Sequence, residues 1–338
     1  MTLPIESEPM LVDTFGRTIN YLRLSVTDRC DFRCVYCMAE EMEFLPRQQL
    51  LTIEEMSQIA EAFIDLGVKK IRVTGGEPLV RRNILALFEQ LGQLNSLEEL
   101  TLTTNGSQLS TETCQRLVKA GVKRINISLD SLQADRFKAL TRTGELAKVL
   151  SGIDHAISAG LKVKLNSVIL KNRNSDEIID LVNYAISQQC DISFIEEMPL
   201  GVIDEHKRQE EFISSENIRN IIERQYDLAF ENASDETSGP SRYWKIAGQA
   251  TRVGFIAPHS DNFCSSCNRV RLTATGQLLL CLGNENAVDL RQVIRQYPGD
   301  MARLKQTIID AMQVKPEKHD FDLAQEPQIL RFMNMTGG

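Results

Sequence analysis

Six of the eight cysteines in this 338-residue chain fall into two groups. Cys30, Cys34 and Cys37 form C-x3-C-x2-C, and Cys264, Cys267 and Cys281 form C-x2-C-x13-C. Cys114 and Cys190 stand alone and carry no assigned role. Clustered cysteines point to metal or redox chemistry, and thiolates are the ligands that iron–sulfur clusters want. Three cysteines around a four-iron cube leave one iron without a protein ligand. That position is open to a small molecule, just as catalytic metal sites keep a position free. The rival for each group is structural zinc. Zinc usually takes four ligands, and no histidine lies near the first group. A zinc ribbon would carry a second C-x2-C pair where this chain has only Cys281, so on spacing alone the C-terminal group leaves zinc and cluster both open.

Other residues suggest what such a centre would act on. Arg269 and Arg271 flank Val270 directly after Cys267, and in an extended segment they share a face. Two guanidiniums offer forked donors suited to phosphate, although an isolated R-x-R is more often a solvated pair. Arg23, Arg72 and Lys164 interrupt otherwise apolar strand-like runs, so they are expected to face an interior or a mouth rather than a hydrophobic layer. The run Thr74-Gly75-Gly76-Glu77-Pro78 ends one such strand; its glycines permit close backbone approach to a ligand, or merely a tight turn. Ser128 at a strand end is otherwise an ordinary polar terminus, and Met198 otherwise a core methionine.

These residues must be held by the elements around them. Strands are expected at 21–27, 70–74, 99–103, 124–129, 162–169 and 192–196, short and rich in Ile, Leu and Val. Helices are expected at 52–66, 83–94, 110–120, 145–159 and 175–188. The first opens on a Thr52/Glu55 capping box, and Gly67, Gly121 and Gly160 sit where helix C-caps belong. Alternating strands and helices imply a parallel sheet. It either closes partly into an incomplete (βα)6 barrel or lies open and doubly wound; both layouts bind ligands at the carboxyl ends of the strands. The polar run 232–241 marks a boundary, giving regions 1–235 and 236–338. Beyond it, strands are expected at 251–256, 270–273 and 278–282, and a helical region at 290–312.

Bulk properties exclude several function classes. The net charge of −8 argues against broad nucleic-acid or membrane-surface binding. No apolar run reaches the ~18 residues of a membrane span, and the first residues lack the features of a signal peptide, so a cytoplasmic location is expected.

The cysteine motif with Tyr36 before its last cysteine, and the TGGEP turn, resemble the radical S-adenosylmethionine (SAM) superfamily. The stretches LRLSVTDRC at 22–30, LTTNG at 102–106, SLD at 128–130, FCSSCNRVR at 263–271 and the terminal Gly337-Gly338 extend the likeness nearly end to end. They resemble the GTP-cyclising family of molybdenum cofactor biosynthesis. That resemblance implies an α/β fold, an incomplete (βα)6 TIM-type barrel with a C-terminal extension, and two [4Fe–4S] clusters. Cys30, Cys34 and Cys37 would hold the first and Cys264, Cys267 and Cys281 the second. Tyr36, Gly76, Ser128 and Met198 would contact SAM. Arg23, Arg72, Thr103, Lys164, Arg269, Val270 and Arg271 would contact GTP, with Gly337, Gly338, Arg269 and Arg271 assisting catalysis. It also implies an electron donor and a downstream cyclic pyranopterin monophosphate synthase; a homodimer enters by analogy only. Two rivals are a peptide-modifying enzyme of the same superfamily and a non-catalytic metal-binding scaffold.

Overall fold

The computed structural model describes residues 10–203, 206–231, 239–323, 325 and 327–337. Six strand–helix units open the fold. The strands are β1 (Tyr21–Ser25), β2 (Lys70–Thr74), β3 (Glu99–Thr104), β4 (Arg124–Ser128), β5 (Lys162–Val168) and β6 (Asp191–Ile195). Between them lie α1 (Ile53–Asp65), α2 (Ile84–Leu91), α3 (Thr111–Lys119), α4 (Ala134–Thr141), α5 (Leu146–Ser158) and α6 (Ile178–Ser187). The Thr52/Glu55 capping box forms: Glu55 N donates to Thr52 Oγ1 at 3.1 Å and Thr52 N to Glu55 Oε2 at 2.7 Å. Gly67, Gly121 and Gly160 follow their helices with φ of +93°, +87° and +85°, the left-handed cap that ends a helix.

The strands pair in parallel in chain order, and the sheet then continues past both ends of the series. The later elements are α7 (Arg208–Glu211), α8 (Ser215–Glu223), β7 (Leu228–Glu231), β8 (Arg242–Ile246), β9 (Arg252–Ile256), β10 (Arg269–Leu272), β11 (Gln277–Leu279), β12 (Ala287–Asp289), α9 (Leu290–Gln296), α10 (Met301–Met312) and α11 (Met333–Thr336). β9 pairs in parallel with β6, and β10 in parallel with β1. Antiparallel β7–β8 and β11–β12 finish the two edges. The sheet order is β12-β11-β10-β1-β2-β3-β4-β5-β6-β9-β8-β7, so the barrel is incomplete. The expected 290–312 helical region is two helices, because the Tyr297-Pro298-Gly299-Asp300 turn, with Gly299 at φ +79°, separates α9 from α10. Helices α4 and α8 and the β7–β8 ribbon are additions to the expected elements.

The strands alternate strictly between two environments. Leu22, Leu24, Ile71, Val73, Leu102, Ile125, Ile127, Leu165, Ile192 and Phe194 are buried on the helix-covered side, in one continuous core. Each fully buried side chain of this kind contributes about 1.5–3 kcal/mol. Their neighbours Arg23, Arg72, Thr103, Asn126, Ser128, Lys164 and Asn166 line a cavity on the other side. Residues of β1–β6 together with Tyr243 of β8, Arg252 of β9 and Arg271 of β10 surround that one cavity, so the sheet curls around it. No helix among the described residues is long and apolar enough to cross a membrane.

Candidate active site

The loop after β1 carries the first cysteines and is built on the TGGEP turn. Gly76 N donates to Thr27 O at 2.7 Å and Glu77 N to Arg29 O at 2.8 Å. A Cβ at Gly76 would stand 2.3 Å from Arg29 O and 2.8 Å from Asp28 O; only glycine permits this approach of two backbones. Buried Glu77 accepts from Asn105 N at 2.7 Å, Leu79 N at 2.9 Å and Thr104 Oγ1 at 2.8 Å. Its carboxyl is pushed up to about 7 by burial, against those hydrogen bonds. Asp31 anchors the far side of the loop, accepting from Asn105 Nδ2 at 2.7 Å and Ser107 Oγ at 2.6 Å. Tyr36 donates to Asp130 Oδ2 at 2.7 Å, and Asp130 Oδ1 accepts from Val168 N at 2.8 Å.

All three cysteines of this loop carry free thiols and line the cavity. Burial pushes Cys30 and Cys34 well above the ordinary thiol range and Cys37 up to about 12. Glu77 adds to the rise at Cys30 and Asp130 to that at Cys37; the thiols also raise one another, as close neighbours do. Such thiols ionise only against a strong positive charge, which iron supplies. Among the described residues, no three His, Cys, Asp or Glu side chains are grouped as ligands of one metal ion. A cube distributes its three thiolates over three separate irons, and three free thiols on one short loop are donors of the kind it takes.

The second group has different surroundings. Cys264–Ser266 form a single 3-10 turn before β10, and Cys281 follows β11. Arg17, held by Asp13 Oδ2 at 2.6 Å, donates to Cys264 O at 2.9 Å and to Glu317 O and Pro316 O at 2.7 Å each. Lys315 Nζ stands 3.8 Å from Cys267 Sγ. Burial raises the Cys267 thiol, but Arg269 and Lys315 outweigh it and bring the group down to about 7. Burial keeps Cys281 above its ordinary value, with Cys267 and Cys264 adding to the rise. Again three mutually interacting sulfurs fit a cluster.

Between the two groups lies a cavity of about 530 Å³. Tyr36, Gly76, Ser128 and Met198 all line it, as do the first cysteines. Arg23, Arg72, Thr103, Lys164 and Arg271 line it too. Arg72 Nε donates to Tyr21 OH at 2.6 Å and its Nη1 to Thr103 Oγ1 at 3.3 Å. Lys164 Nζ lies 5.3 Å from the centre of the Tyr243 ring. Arg269 and Val270 do not line the cavity: Arg269 stacks on Phe263 at 4.8 Å, and Val270 belongs to the outer core. The C-terminal cysteines are likewise not lining residues, whereas their neighbours Arg271 and Leu282 are.

The cavity's cations crowd one another. Arg271 is driven well below the ordinary arginine value by burial, then by Arg23 and Arg269. Burial and neighbouring arginines bring Arg23 down to about 10, although Tyr21 opposes the shift. Burial also lowers Lys164. Buried like charges of this kind are relieved by an anion. Sequence reasoning missed Tyr21, whose phenol burial would raise but which Arg72, Arg23 and Lys70 bring down to about 6. It also missed Asn126 and Asn166, whose side-chain oxygens are buried without a partner; both sit on inward strand positions, and that alternation is the signal that could have found them.

The chain's end closes the cavity. Asn334 Nδ2 donates to Asp28 O at 2.8 Å and Met333 N to Cys37 O at 3.2 Å, so α11 rests on the cysteine loop. The Gly337 carbonyl accepts from Arg271 Nη1 and, at 3.4 Å, from Arg23 Nη2. Gly337 has φ +76°, and a Cβ there would stand 2.4 Å from Thr74 Cγ2. Gly338 lies outside the described residues.

A profile of the radical SAM superfamily matches residues 24–185, and one described as Molybdenum Cofactor Synthesis C matches residues 190–321. The chain is 60% identical over 337 residues to the GTP 3',8-cyclase of Pseudomonas entomophila, covering 99% of this chain and 100% of that one. The chain belongs to the GTP 3',8-cyclase family. The Saccharophagus degradans GTP 3',8-cyclase is 58% identical, covering 97% of this chain and 98% of that one. Family membership brings with it radical SAM chemistry, which rests on a [4Fe–4S] cluster and SAM. Among solved structures, Streptococcus suis SuiB matches with a TM-score of 0.58 at 16% identity, over 81% of this chain and 64% of that one. SuiB bound to S-adenosylmethionine matches with a TM-score of 0.58 at 15% identity, over 92% of this chain and 79% of that one. These likenesses support the same partial-barrel fold.

Proposed function

We propose that this chain converts GTP to (8S)-3',8-cyclo-7,8-dihydroguanosine 5'-triphosphate, the first step of molybdenum cofactor biosynthesis. The observation that carries the reading is the shared cavity. Three free thiols with Tyr36, Gly76, Ser128 and Met198 stand on it with the cations Arg23, Arg72, Lys164 and Arg271. When bound, the cluster of Cys30, Cys34 and Cys37 with SAM would supply a 5'-deoxyadenosyl radical able to take a hydrogen atom from C3' of the ribose; bonding of C3' to C8 of the guanine is then completed by one electron and one proton, the electron coming from the reductant.

The chain's own residues bind, orient and enclose. Arg23, Arg72 and Lys164 hold the triphosphate, with Thr103 fixing the Arg72 fork through its 3.3 Å bond. Gly76 and Ser128 present backbone and hydroxyl to SAM, and Tyr36 and Met198 pack against it. Arg271 ties the tail into the cavity through the Gly337 carbonyl, so that Gly337 excludes water from the reacting sugar. Arg269 and the Val270 backbone act from the next layer, beside Cys267.

The finer assignments belong to the same reading. Cys264, Cys267 and Cys281 hold a second [4Fe–4S] cluster that orients the guanine. Residues 1–235 form the partial barrel with the N-terminal cluster, and residues 236–338 the C-terminal region with the second cluster and the diglycine tail. The protein works in the cytoplasm with a low-potential electron donor and delivers its product to a cyclic pyranopterin monophosphate synthase; a homodimer is the proposed assembly. The test is anaerobic: reconstitute with iron and sulfide, reduce, and add SAM with and without GTP. GTP-dependent 5'-deoxyadenosine with a cyclised GTP isomer in the mass spectrum is the expected result. SAM cleavage indifferent to GTP would overturn the substrate.

A further inference from the structure

Lys315 stands beside the C-terminal cysteines as a buried ammonium without a carboxylate. It is 3% exposed. Its Nζ donates to Leu280 O at 2.6 Å and lies 3.8 Å from Cys267 Sγ. No carboxylate among the described residues pairs with it. Outside the cavity, other sheltered cations meet carboxylates. Buried Arg208 meets Glu197 at 2.8 Å, and half-buried Arg331, which feels Cys281, meets Glu285 at 2.6 Å. Charges are rarely left in a protein interior unless paired. For Lys315 the available counter-charge is the cysteine set itself. Leu280 directly precedes Cys281, so one ammonium joins the two segments that carry Cys267 and Cys281.

Three thiolates outweigh the positive charge of an iron–sulfide core, and one-electron reduction adds a further negative charge. A fixed cation a few ångströms away stabilises the assembled centre, and the reduced form more than the oxidised. We propose that Lys315 is the resident counter-ion of the C-terminal cysteine-bound cluster, a positioning residue that secures the cluster and raises its reduction potential. The proposal rests on the second cluster assigned above. In the titration that tests it, one electron passes from dithionite to the cluster, and no bond to Lys315 forms or breaks.

The experiment compares full-length wild-type protein, Lys315→Met and Lys315→Arg after anaerobic reconstitution. Iron and sulfide are counted per chain, and each cluster's midpoint potential is followed by electron paramagnetic resonance, with the N-terminal cluster as internal reference. In Lys315→Met the second cluster is expected to shift to a more negative potential or to be lost on gel filtration. The N-terminal cluster stays unchanged, and Lys315→Arg keeps most of the wild-type behaviour. A second cluster in Lys315→Met with wild-type content and potential overturns the counter-ion role alone. Equal loss of both clusters in both variants overturns it as well, since that marks a general folding role. Wild-type protein with iron for only one cluster overturns the second-cluster reading on which the proposal stands.

Discussion

The two cysteine loops carry equal numbers of thiols in opposite electrostatic surroundings. At the N-terminal loop, burial is reinforced by Glu77, Asp31 and Asp130, and all three thiols are held in the neutral form. At the C-terminal loop, Arg269 and Lys315 overcome the burial of Cys267. Position in the cavity differs too: the first set lines it, while the second meets it through Arg271 and Leu282. Ligand count therefore does not define a cysteine site; the charges around the sulfurs do. The N-terminal loop suits a centre exposed to a small molecule, and the C-terminal loop suits an anionic centre among cations.

The hardest test of this contrast removes one ligand from each loop. Cys34→Ala is expected to abolish both the N-terminal cluster and all 5'-deoxyadenosine formation. Cys281→Ala should keep the N-terminal cluster and SAM binding while abolishing GTP cyclisation. Iron content and deoxyadenosine yield read both; identical outcomes would erase the functional distinction between the loops.

The tail that bridges the two regions comes next. Gly337→Ala forces a side chain into positive φ against Thr74 Cγ2. It is expected to lower turnover by roughly ten- to a hundred-fold, equivalent to about 1.4–2.7 kcal/mol, with both clusters retained. Turnover with unchanged iron content checks this.

A smaller and one-sided effect is expected from Arg17→Ala. It uncaps the carbonyls of Cys264, Pro316 and Glu317, a loss of about 1–3 kcal/mol for groups left unsatisfied. Chelator-driven iron release should quicken at the C-terminal cluster and not at the N-terminal one.

The smallest effect sharpens the cavity's own charge balance. With Tyr21 brought down to about 6 by Arg72, Arg23 and Lys70 against burial, its phenol is ionised in the free protein at pH 7.5. A triphosphate among those cations raises it again, so binding takes up a proton. Affinity should therefore rise as pH falls from about 8 towards 6 and level off below. Calorimetry of GTP binding in two buffers of different ionisation enthalpy measures the uptake. Tyr21→Phe should remove the difference.

Much of this was legible in the chain because its causes are local. Alternation in the strands put Arg23, Arg72 and Lys164 opposite the leucines and isoleucines, and so inside. The Thr52 cap and the three helix-ending glycines act within a few residues of themselves. The β7–β8 ribbon escaped because its residues are half-exposed and follow no clear period. Helix α8 carried a findable signal, since Ser214 caps it by accepting from Asn217 N at 3.2 Å. Helix α4 has no side-chain cap and less to show.

The sequence alone determined the two cysteine groups, the parallel strand–helix rhythm and the inward basic positions, all of which follow from residue type and short-range period. Only the tertiary structure decided that β9 and β10 extend the sheet at opposite edges, that Arg271 faces the cavity while Arg269 turns to Phe263, and that Gly337 reaches Arg23. It also decided that Arg17 and Lys315 stand over the second cysteine loop. Most of those contacts join residues far apart in the chain, up to 314 positions, and no local pattern encodes them: they exist because a curled sheet brings segments remote in sequence to one cavity.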